Sequence, residues 1–173
     1  MGTPPKEHKL QLVQRLSVPV EYSKTAIIRP LNQQDLPRFL MLCKAHAAFE
    51  QCTFEPKDKI ADWSRYLLEA DQEINCWVVQ GGDELVGYAT FMRQFSTWNA
   101  TYYLYLDCLY LEEVSRGQGL GKQLMQKIKQ FASEHQCEEI QWQTPSFNQK
   151  AIFFYKSLGA KSKTKERFFW DLR

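Results

Sequence analysis

Arg116-Gly117-Gln118-Gly119-Leu120-Gly121-Lys122 joins an apolar stretch to an amphipathic one, and how it is read decides the fold. Upstream, residues 101–111 (TYYLYLDCLYL) are rich in Tyr and Leu, as a buried strand is. Downstream, Leu120, Leu124, Ile128 and Phe131 recur at helical spacing, so the glycines form a turn at a helix N-terminus. There the first backbone N–H groups lack intrahelical partners and the helix dipole is positive, while glycine lets a ligand approach the main chain closely. Such a turn is suited to a phosphate or pyrophosphate.

The positions that are not glycine exclude two phosphate loops. A Walker loop needs glycine five residues before Gly121 and Ser or Thr after Lys122, where Arg116 and Gln123 stand. A dinucleotide fingerprint starting at Gly117 needs Gly or Ala at Lys122, and one starting at Gly119 needs it at Leu124. What remains is Arg-x-x-Gly-x-Gly, a pattern that a strand-to-helix connection without any ligand also satisfies.

The pattern resembles the pyrophosphate loop of the GCN5-related N-acetyltransferases, and from about Ile27 onward the chain is similar to their diamine (spermidine/spermine) and thialysine branch. Ile28-Arg29-Pro30 with Asp35 matches the opening strand and first helix, and Phe49-Glu50 falls where that branch carries Tyr-Glu. Leu104-Tyr105-Leu106-Asp107 stands for its Leu-Tyr-Leu-Glu, and Asn148, Phe154-Tyr155-Lys156 and Gly159-Ala160 match its closing segment. The resemblance implies an α+β fold with a mixed, mostly antiparallel central sheet flanked by helices. It divides the chain into an N-terminal extension, 1–24, and an acetyltransferase domain, 25–173.

Composition agrees with one such domain. The chain has 173 residues, 44% hydrophobic, enough for one well-filled core. A formal charge of +2 argues against a dedicated nucleic-acid or membrane-surface binder. Cys43, Cys52, Cys76, Cys108 and Cys137 are scattered, without a metal-ligand or disulfide spacing, so no metal is expected and reduced thiols in the cytoplasm are. No run approaches membrane-spanning length and no signal-peptide core precedes the domain, which predicts a soluble intracellular protein.

Periodicity predicts strands at 25–29, 74–80, 85–95, 102–111, 139–144 and 167–172, and helices at 33–50, 58–69, 120–135 and 149–157. Gly81-Gly82-Asp83-Glu84 between two apolar runs signals a hairpin. Leu10, Leu12, Val13 and Leu16, bracketed by prolines, suggest a short helix or strand in the N-terminal tail.

Acetyl-CoA is the cosubstrate the resemblance implies, and a small-molecule amine the acceptor. Its pyrophosphate would meet the backbone of Gly117, Gln118, Gly119, Leu120 and Gly121, with charge from Arg116 and Lys122, and its pantetheine arm the backbone of Leu109, Tyr110 and Leu111. A backbone donor on the thioester carbonyl is worth about 3 kcal/mol in the barrier. Asp107 would draw in the ammonium and take its proton, Tyr155 would protonate the departing thiolate, Asn148 would cap the last helix and hold the pantetheine amide, and Phe49 and Glu50 would line the amine pocket. Each has a structural alternative: Asp107 as a hydrogen-bonded bulge residue, Tyr155 as a core aromatic, Asn148 as a cap alone, Glu50 as a solvated helix end. Trp98 and Tyr105 are candidate aromatic walls, Glu55 and Asp58 weaker carboxylates, and Lys161, Lys163, Lys165 and Arg167 a solvated face or a contact to the ribose phosphate. His8, His46 and His135 receive no role.

The branch has two successive carboxylates where this chain has Asp107-Cys108, which bears on its affinity for a polyamine. Cys108 raises a covalent route, against which stands the lack of a basic partner. Acetylation of a protein lysine or N-terminus, and a non-catalytic CoA-binding module, are the competing readings. Members of this type are often dimers, so a homodimer is a further expectation.

Overall fold

Seven consecutive residues, Leu85 to Phe91, are buried, which in a strand requires both faces to be covered. A computed structural model, describing residues 21–22, 25–56, 59–69 and 74–172, makes them the centre of a five-stranded sheet. In chain order the elements are β1 (Ile27–Pro30), α1 (Leu36–Phe49), α2 (Lys59–Leu68), β2 (Ile74–Gly81), β3 (Glu84–Ser96), β4 (Thr101–Leu111), α3 (Leu120–Glu134), β5 (Cys137–Trp142) and α4 (Gln149–Ser157). The strands lie in the order β1-β2-β3-β4-β5, antiparallel except for the parallel β4–β5 pair. This is the α+β, mostly antiparallel sheet the sequence predicts.

Alternation along β2 sends Val78 to one face and Val79 to the other, each wholly buried. On the first face Phe39 and Leu42 of α1 and Leu67 of α2 pack with Tyr88. On the second, Leu120, Leu124 and Ile128 of α3 fill the space over Phe91, Leu104 and Leu106, with Phe154 and Tyr155 of α4 packed alongside.

The entry to α1 is tied down by charge and capping. The Asn32 side chain accepts from the Gln34 and Asp35 N–H groups, and Asp35 accepts from the Asn32 N–H in return. Arg29 of β1 grips the same carboxylate through two nitrogens, at 2.6 and 2.9 Å. Burial alone would raise the Asp35 carboxyl; the guanidinium and the Asn32 N–H outweigh it and hold the group below its usual range.

Two expectations about the chain ends need restating. Residues 161–172 form no strand and are exposed throughout, so the final strand expected at 167–172 is absent among the described residues. A strand needs a partner edge, and this segment is laid along none. The apolar pattern from Leu10 to Leu16 lies outside the described residues, but Tyr22 packs against the core and its N–H donates to Gln118 Oε1 at 2.6 Å. Among the described residues no helix is long and apolar enough to cross a membrane.

Candidate active site

β4 carries the site because its two edges end differently. Toward β3 it is paired from Thr101 to Leu111 except at Asp107. Toward β5 the ladder stops at the Leu106–Trp142 pair, and the two parallel strands part. The edge of β4 from Asp107 to Leu111 therefore faces a cleft of about 450 Å³ whose opposite wall is Gln143 and Thr144. Its far end is closed by the glycine turn and its side by α4. A shallower hollow of similar volume, around Gln33, Ile60 and Ser64, has no ionisable side chain in its lining among the described residues.

The register slips between Thr90 and Phe91: Thr90 pairs with Cys108 and Phe91 with Leu106, so Asp107 is the extra residue of a bulge. The bulge turns an exposed carboxylate into the cleft from an otherwise apolar strand. The structural alternative for Asp107, a bulge residue, is thus observed, and it leaves the carboxylate on the cleft wall.

The turn has the conformation its glycines suggest. Gly117 and Gly119 have φ of 76° and 80°, a region costly for residues with a Cβ, and a Cβ at either would meet nothing of the chain. Gly119 is the N-cap of α3 and provides no side-chain acceptor for the first turn. With Gly121 and Lys122 it lines the cleft. Exposed amides at a helix N-terminus, an open strand edge and vacant space over the glycines together suit a pyrophosphate followed by an extended pantetheine arm.

Other members of the turn are occupied within the chain. Gln118 accepts from Tyr22 and donates to the Val114 carbonyl, and the Leu120 side chain is buried in the core, so both face the turn through their backbone alone. Arg116 is turned inward: its Nε donates to the Leu111 carbonyl at 2.8 Å and its guanidinium lies 4.6 Å from the Phe49 ring centroid. It reaches the cleft beside Phe49 rather than as a free arm, and exposed Lys122 and Lys150 supply the rest of the positive charge.

Tyr155 lies on the inner face of α4, its ring 5.1 Å from Trp142, and lines the cleft. Burial, and then the charge of Glu50, push its phenol up to about 12, so it keeps its proton at neutral pH. Asn148 is the N-cap of α4, its side chain accepting from the Ala151 N–H at 3.1 Å, and it too lines the cleft. Capping is therefore observed for Asn148, and cleft access accompanies it.

Across from Tyr155, α1 ends at Phe49 and Glu50, both on the cleft wall. One turn earlier stands His46, to which the sequence assigned nothing. Its Nδ1 lies 2.8 Å from the Tyr88 hydroxyl, its Nε2 3.5 Å from Glu50, and its ring is stacked on Tyr110. Burial lowers its pKa, against the pull of Glu50 and Asp107 and with the help of Arg116. The i,i+4 spacing to Glu50 is legible in the sequence, but Tyr88 and Tyr110 come from β3 and β4, which no local spacing brings to the ring.

Several expected residues lie elsewhere. Trp98 is 96% exposed at the β3–β4 turn, about 20 Å along the strand from Asp107 at ordinary strand rise, and lines no part of the cleft. Tyr105 touches only the rim, its hydroxyl 3.3 Å from Gln143 Nε2. Glu55 is exposed away from the cleft, and Asp58 lies outside the described residues. Burial, and then the Asp107 charge, push the Cys108 thiol up to about 12, the wrong direction for a nucleophile. Among the described residues no group of His, Cys, Asp or Glu could hold a metal ion.

Comparison with known proteins places this geometry. The Acetyltransferase (GNAT) family profile matches residues 39–160. A thialysine N-epsilon-acetyltransferase of Sus scrofa is 32% identical over 153 residues, covering 81% of this chain and 86% of that protein. An aminoglycoside acetyltransferase from an uncultured soil metagenomic sample, solved with sisomicin, superposes with a TM-score of 0.74 at 23% identity, covering 88% of this chain and 100% of that one. An aminoglycoside N-acetyltransferase, AAC(6')-Iy, solved with CoA, does so at 0.71 and 18% identity, over 86% and 95%. At such identities these two structures establish the fold, whereas the profile and the porcine relative reach further. The chain belongs to the GNAT family of acetyltransferases, in its diamine and thialysine branch, and is an acetyl-CoA-dependent N-acetyltransferase.

Proposed function

We propose that the acceptor is a primary amine of a small molecule, a polyamine, thialysine-like or related amine, acetylated by direct attack. The supporting observation is the pair of carboxylates, Asp107 and Glu50, on the wall of one cleft with the aromatic Phe49 and the neutral phenol of Tyr155. Acetyl-CoA supplies a thioester whose carbonyl carbon accepts the amine nitrogen and whose sulfur leaves as a thiolate. An alkylammonium with pKa about 10.4 must first lose a proton, which Asp107 receives directly or through water. Tyr155 gives its phenolic proton to the sulfur, and the β4 edge from Leu109 to Leu111 offers backbone donors to the carbonyl.

His46 acts through Glu50. With Tyr88 held protonated by burial, the arrangement that satisfies both neighbours has the Tyr88 O–H donating to Nδ1 and Nε2–H directed at the Glu50 carboxylate. This fixes the carboxylate that receives the ammonium. His46→Gln is expected to raise KM for the amine about tenfold, the worth of one charge-assisted hydrogen bond, with kcat changed less. In the parent, acid below the usual histidine range protonates His46, which then neutralises Glu50, so KM should climb as pH falls. The groups facing the ring are Glu50 on α1, Tyr88 on β3, Asp107 and Tyr110 on β4, and Arg116 in the turn. Without the imidazole, the variant's KM should climb less than the parent's over the same range. A parallel climb in the variant would remove His46 from this role.

The substrate class is tested by thiol release with primary amines and with peptides carrying a free lysine or N-terminus. Free amines should exceed peptides in kcat/KM, and Cys108→Ala should turn over like the parent. Peptide preference would favour a protein acetyltransferase, and complete loss in Cys108→Ala would overturn direct attack.

A further inference from the structure

Gln118 stands between Gly117 and Gly119, so its side chain is the handle by which the middle of the glycine turn can be held. Both neighbours have positive φ, and glycine has the most backbone freedom to lose when a ligand fixes the turn. The structure ties that handle down from two directions. Gln118 Nε2 donates to the Val114 carbonyl at 3.1 Å, within the same loop, and Oε1 accepts from the Tyr22 N–H at 2.6 Å, 96 residues away in sequence. Tyr22 is itself anchored. Its carbonyl accepts from the Thr25 and Ala26 N–H groups at 3.2 and 2.8 Å, at the entry to β1, and its ring packs against the core cluster that α3 fills. The ring lies on buried Gly81, the last residue of β2. A methyl group there would collide with Cδ1 and Cε1 of the ring, and Gly81 is not among the glycines of positive φ, so the bare backbone at this position makes room for Tyr22.

We propose that Tyr22 is a positioning residue for acetyl-CoA, bracing the glycine turn through Gln118, so that the stretch ahead of β1 helps to set coenzyme affinity. Tyr22 precedes residues 39–160, the part of the chain that the family profile matches, and lines no part of the cleft. The brace rests on the pyrophosphate lying at the α3 N-terminus. With Gln118 tied, the N–H groups of the turn are aimed before the coenzyme arrives, and less freedom is lost on binding. Fixing the backbone of one residue in advance is worth about a factor of ten in affinity. The acceptor end of the cleft, on α1 and β4, is not held by this contact, so turnover at saturation should change little.

In the full chain, Tyr22→Ala should raise the Kd for CoA about tenfold by calorimetry, with kcat at saturating acetyl-CoA within about twofold of the parent. Tyr22→Phe, which keeps the ring and the N–H, should bind as the parent does. Gly81→Ala, which pushes the ring away without touching the turn, should match Tyr22→Ala. Gln118→Ala, a change in a surface turn, should weaken CoA to the same extent, and adding Gly81→Ala to it should weaken CoA no further, because the link is already cut. S-acetylpantetheine lacks the pyrophosphate, so Tyr22→Ala and Gly81→Ala should keep the parent's kcat/KM with that donor. Parent affinity in Tyr22→Ala or in Gln118→Ala would overturn the brace, even where Gly119→Val weakens the coenzyme as the turn itself requires. Losses that add in the double variant, or that fall equally on the truncated donor, would mean a damaged fold and overturn it as well.

Discussion

Tyr155→Phe should lower kcat by two orders of magnitude or more while acetyl-CoA binds as before. The substitution removes one oxygen and leaves the ring, and it is the ring that packs against Trp142 and Phe154. Among the described residues no hydrogen bond ties α4 to the sheet through the hydroxyl, so its removal should leave the fold and the cleft wall in place. The loss falls on the step that needs a proton. A phenol pushed up to about 12 is fully protonated at neutral pH and so carries the proton that the departing thiolate takes. General acids of this kind contribute about 10²- to 10⁴-fold. Steady-state kcat, with coenzyme affinity measured by calorimetry, checks both halves. A kcat within threefold of the parent would dismiss Tyr155 as the acid, and an equal loss of CoA affinity would recast it as a binding residue.

Under the proposed mechanism the two carboxylates of the cleft would divide their work. Asp107 is presented by a bulge on the strand whose free edge faces the cleft, beside the expected path of the thioester. Glu50 stands at the end of α1, braced by His46, and its charge contributes to keeping Tyr155 protonated. One group is thus suited to remove a proton and the other to hold the cation in place. Cys108, where the diamine branch has a second carboxylate, is half-buried and not on the cleft wall, so that position adds no negative charge to the cleft.

What the sequence made legible were the features whose cause is local. The strand–turn–helix around Gly119 follows from periodicity and glycine spacing, α4 falls on Gln149–Ser157 as expected, and the β2–β3 hairpin turns where Gly82 allows a φ of 63°. Asp107 was visible as a misplaced polar residue and a bulge was one reading of it, though not that the bulge would turn its carboxylate into the cleft. His46 was invisible because Glu50 is its one partner nearby in sequence, whereas Tyr88 and Tyr110 arrive from the sheet. Trp98 failed for the complementary reason. Its aromatic character was legible, and its distance from Asp107 depended on where the hairpin turned. The strand expected at 167–172 has the right alternation, but a strand also needs an edge, and the edge is a tertiary fact.

Gly119→Val should weaken acetyl-CoA about a hundredfold and do so selectively through its phosphates. Valine at a φ of 80° is strained by about 1–2 kcal/mol, and the α3 N-terminus must shift to relieve it. The side chain would meet nothing of the protein itself, so it would occupy the space over the first amides of α3 where the pyrophosphate is expected. Losing about two charge-assisted hydrogen bonds, at roughly 1.5–3 kcal/mol each, accounts for a factor near 10² or more. A truncated donor, S-acetylpantetheine, separates this from general damage, because it lacks the pyrophosphate. The parent should prefer acetyl-CoA strongly over it in kcat/KM, and Gly119→Val should erase most of that preference while reacting with the truncated donor about as the parent does. Equal losses toward both donors would mean that the strained turn distorts β4 and α4 as well, and normal affinity for acetyl-CoA would place the pyrophosphate somewhere other than the helix N-terminus.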